Sequence, residues 1–177
     1  MEYCTNNHVI DLILDTYKDS LGKHFELYHN HVYRVYNFAV PYININEDEN
    51  TLSIASAFHD LGIWTNNTFN YLQPSMDLAK KYCLAYNTAP DKTAEIITII
   101  EQHHKLTRVK TSLPAEIFRQ ADLIDLTLGL IRKGRTVTYI RTVKKAFPNK
   151  GFHLYLLKIF LKNLFQHPLK PLPMYKL

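Results

Sequence analysis

The sequence predicts a single all-α domain, a helical bundle, and three observations carry that prediction. Apolar residues recur at helical spacing in nearly every segment. No segment alternates convincingly in the two-residue rhythm of a strand, and Gly is scarce, at 5 in 177 residues. One core suffices at this length, so residues 1–177 are read as one domain without internal repeats.

The elements follow in order. In NNHVIDLILDTYKDSLG, Val9, Ile10, Ile13, Leu14 and Tyr17 share a face, and Gly22 suits a helix end. A second helix, about Phe25 to Val40, carries an aromatic-rich stripe until Pro41 discourages continuation. NEDENTLSIASAFHDLG has acidic residues near its start, favourable to the helix dipole, and Gly62 near its end. NNTFNYLQP reads as a loop, and Ser75 as the N-cap of SMDLAKKYCLAY. Pro90 suits the first turn of PDKTAEIITIIEQHH. PAEIFRQADLIDLTLGL aligns Ile117, Ala121, Ile124 and Leu128 on one face. Further helices cover about Thr136 to Phe147 and GFHLYLLKIFLKNLF, and the proline-rich tail HPLKPLPMYKL is expected to run extended over the surface. In the last helix, a face of Leu154, Leu157 and Phe160/Leu161 is expected to pack on the domain rather than on a membrane.

Hydrophobic residues make up 46%, which argues against disorder, and no run approaches the length of a membrane span. The two cysteines, Cys4 and Cys83, have no metal-ligand spacing; with no signal peptide in view, a reducing cytoplasm is the expected location. The net charge of +5 hides an asymmetry: residues 1–104 carry 6 Lys/Arg against 13 Asp/Glu, and residues 105–177 carry 15 against 3. A basic half suits an anionic ligand or is simply a solvated surface. No groove-reading helix or aromatic platform is evident, so no specific nucleic-acid partner is expected, and no heptad sets an oligomeric state.

The chemistry starts from AFHDLGIW. His59 and Asp60 interrupt a run that reads as buried, with no Lys or Arg within a helical turn on either side. A buried carboxylate without a partner costs several kcal/mol, so either a distant side chain or a metal ion must compensate Asp60. The helix is apolar on most sides and belongs in the middle of a bundle. His31 in HNHVYRV and Asp122 in FRQADLIDL come from two further helices, and together these groups make an N/O ligand set for a divalent cation in a bundle core. Mn, Mg, Fe, Ni, Co and Zn all remain open.

The order His31, His59-Asp60, Asp122 resembles the HD superfamily of metal-dependent phosphohydrolases. HVYRV looks like that family's first-histidine helix, ASAFHDLG like its central motif and RQADLIDL like its last-aspartate helix, over roughly residues 25–130; the helices and tail of 131–177 lie outside it. The resemblance implies that His31, His59, Asp60 and Asp122 bind one metal, that Asp60 doubles as the catalytic proton acceptor, and that the substrate is a small phosphate ester such as a nucleotide. His103 and His104, in IEQHHKL, occupy the region where several such families place histidines for substrate or a second metal. Related proteins also include oxygenases and hydratases, and a non-catalytic ligand-binding module is a third reading. The chain has no HDED-type run, as in (p)ppGpp hydrolases, no Gly-Tyr-Pro element, as in cyclic di-GMP phosphodiesterases, and no Glu shortly after His59-Asp60, as in the 5′-deoxynucleotidases.

Arg34, one turn from His31, is the first candidate for gripping phosphate, ahead of Lys105, Arg108, Arg132, Lys133 and Arg135. Asp125 reads either as an acceptor for a ligand histidine or, in preference, as solvent-facing. His29 is expected at the surface. His8, His24, His153 and His167 have no partner visible in the sequence and are expected to be structural or exposed.

Overall fold

The computed structural model describes residues 2–43, 45–169 and 171–174, with 45–49 as backbone alone. Among them every regular element is helical and no strand forms. The principal helices are α1 (His8–Thr16), α2 (Lys18–Leu21), α3 (Phe25–Ala39), α4 (Ile45–Phe58), α5 (Gly62–Thr65), α6 (Leu72–Ala85), α7 (Pro90–Gln102), α8 (Leu113–Leu126), α9 (Val137–Ala146) and α10 (Phe152–Gln166). The acidic side chains Glu47, Asp48 and Glu49, expected to favour the α4 dipole, lie outside the described residues, as do Lys170 and residues 175–177 of the tail.

Helix α4 is the centre of the bundle and packs against α1, α3, α6 and α7. Its composition explains the placement: from Thr51 to Phe58 every residue is buried, and the small Ser53, Ala55, Ser56 and Ala57 let neighbouring helices approach closely. Helix α3 runs along α8, with an unbroken buried run from His31 to Ala39. Asn7 caps α1, accepting from the Val9 and Ile10 N–H groups, and its amide donates to Tyr36 and Ser53. One residue thus ties α1 to both α3 and α4. Ser112 caps α8 and Thr136 caps α9. The chain leaves α8 through Gly129, at φ +86°, whose N–H closes on the Ile124 carbonyl at 2.7 Å.

Two local expectations are corrected. Helix α4 stops at Phe58, so His59 and Asp60 sit in the turn after it, and Gly62 opens α5 rather than closing α4. A side chain at Gly62 would meet the Tyr71 carbonyl at 2.6 Å and the Ser75 nitrogen at 2.9 Å, so only Gly lets α5 lie on α6 this closely. Ser75 is not an N-cap, because α6 starts at Leu72; its buried hydroxyl instead accepts from the Gly62 N–H at 3.0 Å.

Helix α10 departs further. It rests on the domain through Phe152, Tyr155, Leu156 and Ile159, while the expected inner residues Leu154, Leu157 and Leu161 are 57%, 50% and 43% exposed. Phe152 stacks on His31 with ring centroids 3.9 Å apart, which rotates the helix away from its aliphatic face. Among the described residues no helix is long and apolar enough to cross a membrane.

Candidate metal centre

Two helices and the turns after two others converge on a buried cluster of imidazoles and carboxylates. His31 comes from α3, His59 and Asp60 from the turn after α4, His103 and His104 from the turn after α7, and Asp122 from α8. All six are buried. Tyr28 holds the turn in place: its hydroxyl donates to the Ala57 carbonyl at 2.9 Å and accepts from the Asp60 N–H at 3.3 Å. Nothing in the sequence marked Tyr28 for that role.

The geometry divides around Asp60. His31, His59 and Asp122 offer three ligand atoms within 4.8 Å of one another, and Asp60, His103 and His104 offer another three. Asp60 Oδ2 lies 3.5 Å from His31 Nε2 and 3.7 Å from His59 Nε2, while Oδ1 lies 3.3 Å from His103 Nε2 and 4.0 Å from His104 Nε2. Asp122 Oδ1 is buried without a hydrogen-bond partner among the described residues. Such an atom carries the full cost of desolvation unless a cation meets it.

Hydrogen bonds orient three of the rings. His31 Nδ1 donates to Asp125 at 2.7 Å, His59 Nδ1 to the Ser56 carbonyl at 2.7 Å, and His103 Nδ1 to the Ile100 carbonyl at 2.6 Å. In each the Nε2 atom is left pointing into the cluster, the orientation a metal-ligating histidine requires. His104 pairs with Tyr71 through Nε2, and its Nδ1 lies 3.7 Å from Asp122 Oδ2.

His31 and His59 then meet Nε2 to Nε2 at 2.9 Å, and two lone pairs cannot face each other at that distance without a proton or a cation between them. In the ion-free protein a proton serves. Burial opposes a charge on His31, but the hydrogen bond to Asp125 and the nearby Asp60 outweigh it and raise its pKa to about 9. Burial lowers His59 to about 3 and keeps it neutral as the acceptor. Burial also raises the Asp122 pKa, whereas the histidines around Asp60 outweigh its burial and hold it well below the usual carboxylate range.

Asp125 is buried, which overturns the solvent-facing reading, and it anchors the site. It accepts from His31 and, in a fork, from Arg34 Nε at 2.6 Å and Nη2 at 2.9 Å. Burial favours the neutral acid, but Arg34 and His31 together hold Asp125 well below the ordinary range. The expectation that Arg34 grips substrate is therefore corrected. Its guanidinium is buried, and Nη1 is also committed to the Phe147 and Pro148 carbonyls. His153, expected to be structural or exposed, donates from Nε2 to the Asp125 carbonyl at 2.9 Å. Among the remaining cations considered, Arg135 is buried against the Phe38 carbonyl, and Lys105 lines a cavity of about 90 Å³ shared with His103, His104 and Asp122.

A larger pocket, about 290 Å³, opens onto the cluster at Asp60 and His104. Leu156, Leu157 and Phe160 of α10 form one wall, Phe69 and Tyr71 another, and Leu172 and Met174 of the tail close it. The tail is held there by Asn163, which donates to the Pro171 carbonyl at 2.8 Å. No family model, curated protein or solved structure matches the chain.

Proposed function

We propose that the protein is a metal-dependent phosphohydrolase of the HD type, acting on a small phosphate ester. The observation that carries this reading is the position of Asp60, with one carboxylate oxygen facing His31 and His59 and the other facing His103 and His104. A carboxylate so placed suits a bridge between two divalent ions. His31, His59 and Asp122 would hold the first, and His103 and His104 the second. This revises the roles of His103 and His104 from substrate contacts to ligands, and the expected single ion to a pair. Such ions supply Lewis acidity toward a phosphoryl oxygen and toward water. The chain's own contribution is to fix the rings through Asp125 and the Ser56 and Ile100 carbonyls and to present Lys105 to phosphate oxygens.

A second reading, an oxygenase built on the same side chains, is favoured by the apolar pocket beside them. One experiment separates the two. The purified protein is analysed for bound metal, then assayed with Mn²⁺, Mg²⁺, Co²⁺, Ni²⁺ and Fe²⁺ separately for phosphate release and oxygen consumption. Phosphate release lost in Asp60→Ala, with the circular dichroism spectrum unchanged, is the expected result. Oxygen consumption without phosphate release replaces the first reading by the second, and absence of bound metal and of both activities removes both.

A further inference from the structure

The larger pocket is apolar to a degree that a nucleotide site is not. Its walls are Leu, Phe, Met and Tyr side chains, the Tyr71 hydroxyl being bonded to His104, and among the described residues no Lys, Arg, Asn, Gln, Ser or Thr lines it. The polar groups near its floor are already committed. His153 bonds to Asn149 and to the Asp125 carbonyl, and His104 Nε2 bonds to Tyr71. A nucleobase or sugar placed there would leave several of its donors and acceptors buried without partners, at a cost of kcal/mol each. An aliphatic or aromatic group would lose nothing and would bury its surface. The volume of about 290 Å³ is roughly twice that of a cavity known to take benzene.

The apolar pocket and the small cavity lined by Lys105 adjoin at His104 and Leu126. His104 lines both the apolar pocket and the small cavity that contains Lys105, while Asp60 faces only the first and Asp122 only the second. A substrate spanning the cluster would therefore put its charged end toward Lys105 and its organic end between α10 and the tail.

We propose that the substrate is a phosphate monoester of an apolar alcohol, with the alkyl or aryl group seated against Leu156, Leu157, Phe160 and Leu172. This rests on the phosphohydrolase reading and narrows it. Hydrolysis breaks the bond between phosphorus and the ester oxygen as the oxygen of water bonds to phosphorus. The alcohol leaves with one proton of that water, and the other remains on the phosphate.

Non-hydrolysable n-alkyl phosphonates, from methyl to octyl, test this by calorimetry on the full chain supplemented with Mn²⁺, with adenosine monophosphate and octanol as comparisons. Affinity is expected to rise roughly fourfold for each methylene buried, so by about 250-fold from butyl to octyl phosphonate when all four added methylenes are buried. Leu157→Lys, at a half-exposed position of the pocket wall, is expected to abolish that dependence on chain length. A flat response, adenosine monophosphate binding more tightly than octyl phosphonate, or octanol binding as tightly as octyl phosphonate would each overturn the proposal. A flat response with phosphate release intact removes this inference alone. A chain-length response that requires the phosphonate, in a protein that releases no phosphate, keeps the ligand class and removes the hydrolase.

Discussion

Where α3 meets α8, Asp125 is 1% exposed and accepts three hydrogen bonds from His31 and Arg34. Where α10 lines the pocket, Leu157 is 50% exposed, and neither it nor Leu156 nor Phe160 has a polar side-chain atom for a directional bond. The two neighbourhoods answer different demands. A ligand ring must point in one direction to within about 10–20°, and paired polar groups impose that. A wall for an apolar group needs surface alone, which half-packed leucines provide.

Breaking the polar seam should have the largest effect. Asp125→Ala leaves Arg34 buried without its counter-charge and should cost about 3–5 kcal/mol in denaturant unfolding. A loss below about 1 kcal/mol would mean that the seam orients the rings without holding the fold. Sharper still is the double substitution Asp125→Leu with Arg34→Met, which removes both charges and should recover much of that loss while orienting His31 less well.

A smaller effect belongs to Glu116, which secures the loop between His104 and α8. It accepts from Arg119 Nε and Nη2, from Gln120 and from the Val109 N–H, each at 2.8 Å. Burial pushes the Glu116 carboxyl up, and these donors outweigh that, bringing its pKa to about 2 from an unfolded value of 4.5. A group whose pKa falls on folding contributes stability above its unfolded value and loses it as pH drops through the folded one. Unfolding measured from pH 6 to pH 2 should show this contribution, about 2 kcal/mol, fade below pH 4.5. Glu116→Gln should remove that component of the acid dependence; an unchanged slope would exclude Glu116 as its source.

The apolar wall should respond least. Leu157→Ala, at 50% exposure, should change stability by less than about 0.5 kcal/mol in thermal unfolding. A loss above about 2 kcal/mol would show that this face is covered in solution and would erase the contrast with the seam.

Reading the sequence locates the helices well because their apolar period persists in each, and it puts α4 in the middle because Leu52 to Phe58 leave it no polar face. His31, His59, Asp60 and Asp122 were legible as a set from their order along the chain. Their bond partners were not. Asp125 and Arg34 find each other across 91 residues, a distance no local pattern spans, so Arg34 reads as an anion grip when it is a buried counter-charge. The side of α10 was misread for a related reason. Its leucines make an apolar face on paper, but Phe152 stacked on His31 and Tyr155 stacked on Trp64 turn a different side of the helix to the domain. Tyr28 and His153 were invisible because their partners are backbone carbonyls, which carry no signature in the sequence.

The first turn of α10 is secured from several directions. Phe152 stacks on His31, His153 donates to the Asp125 carbonyl, Tyr155 stacks on Trp64, and Arg34 holds the Phe147 and Pro148 carbonyls just before the helix begins. At the opposite end Phe165 is 85% exposed. The end of the helix beside the cluster is thus held by the helices that carry the imidazoles. Farther along, Asn163 holds the Pro171 carbonyl, so the later turns of α10 and the tail are tied to each other. Substitutions in that outer pair should leave the spacing of the imidazoles unchanged.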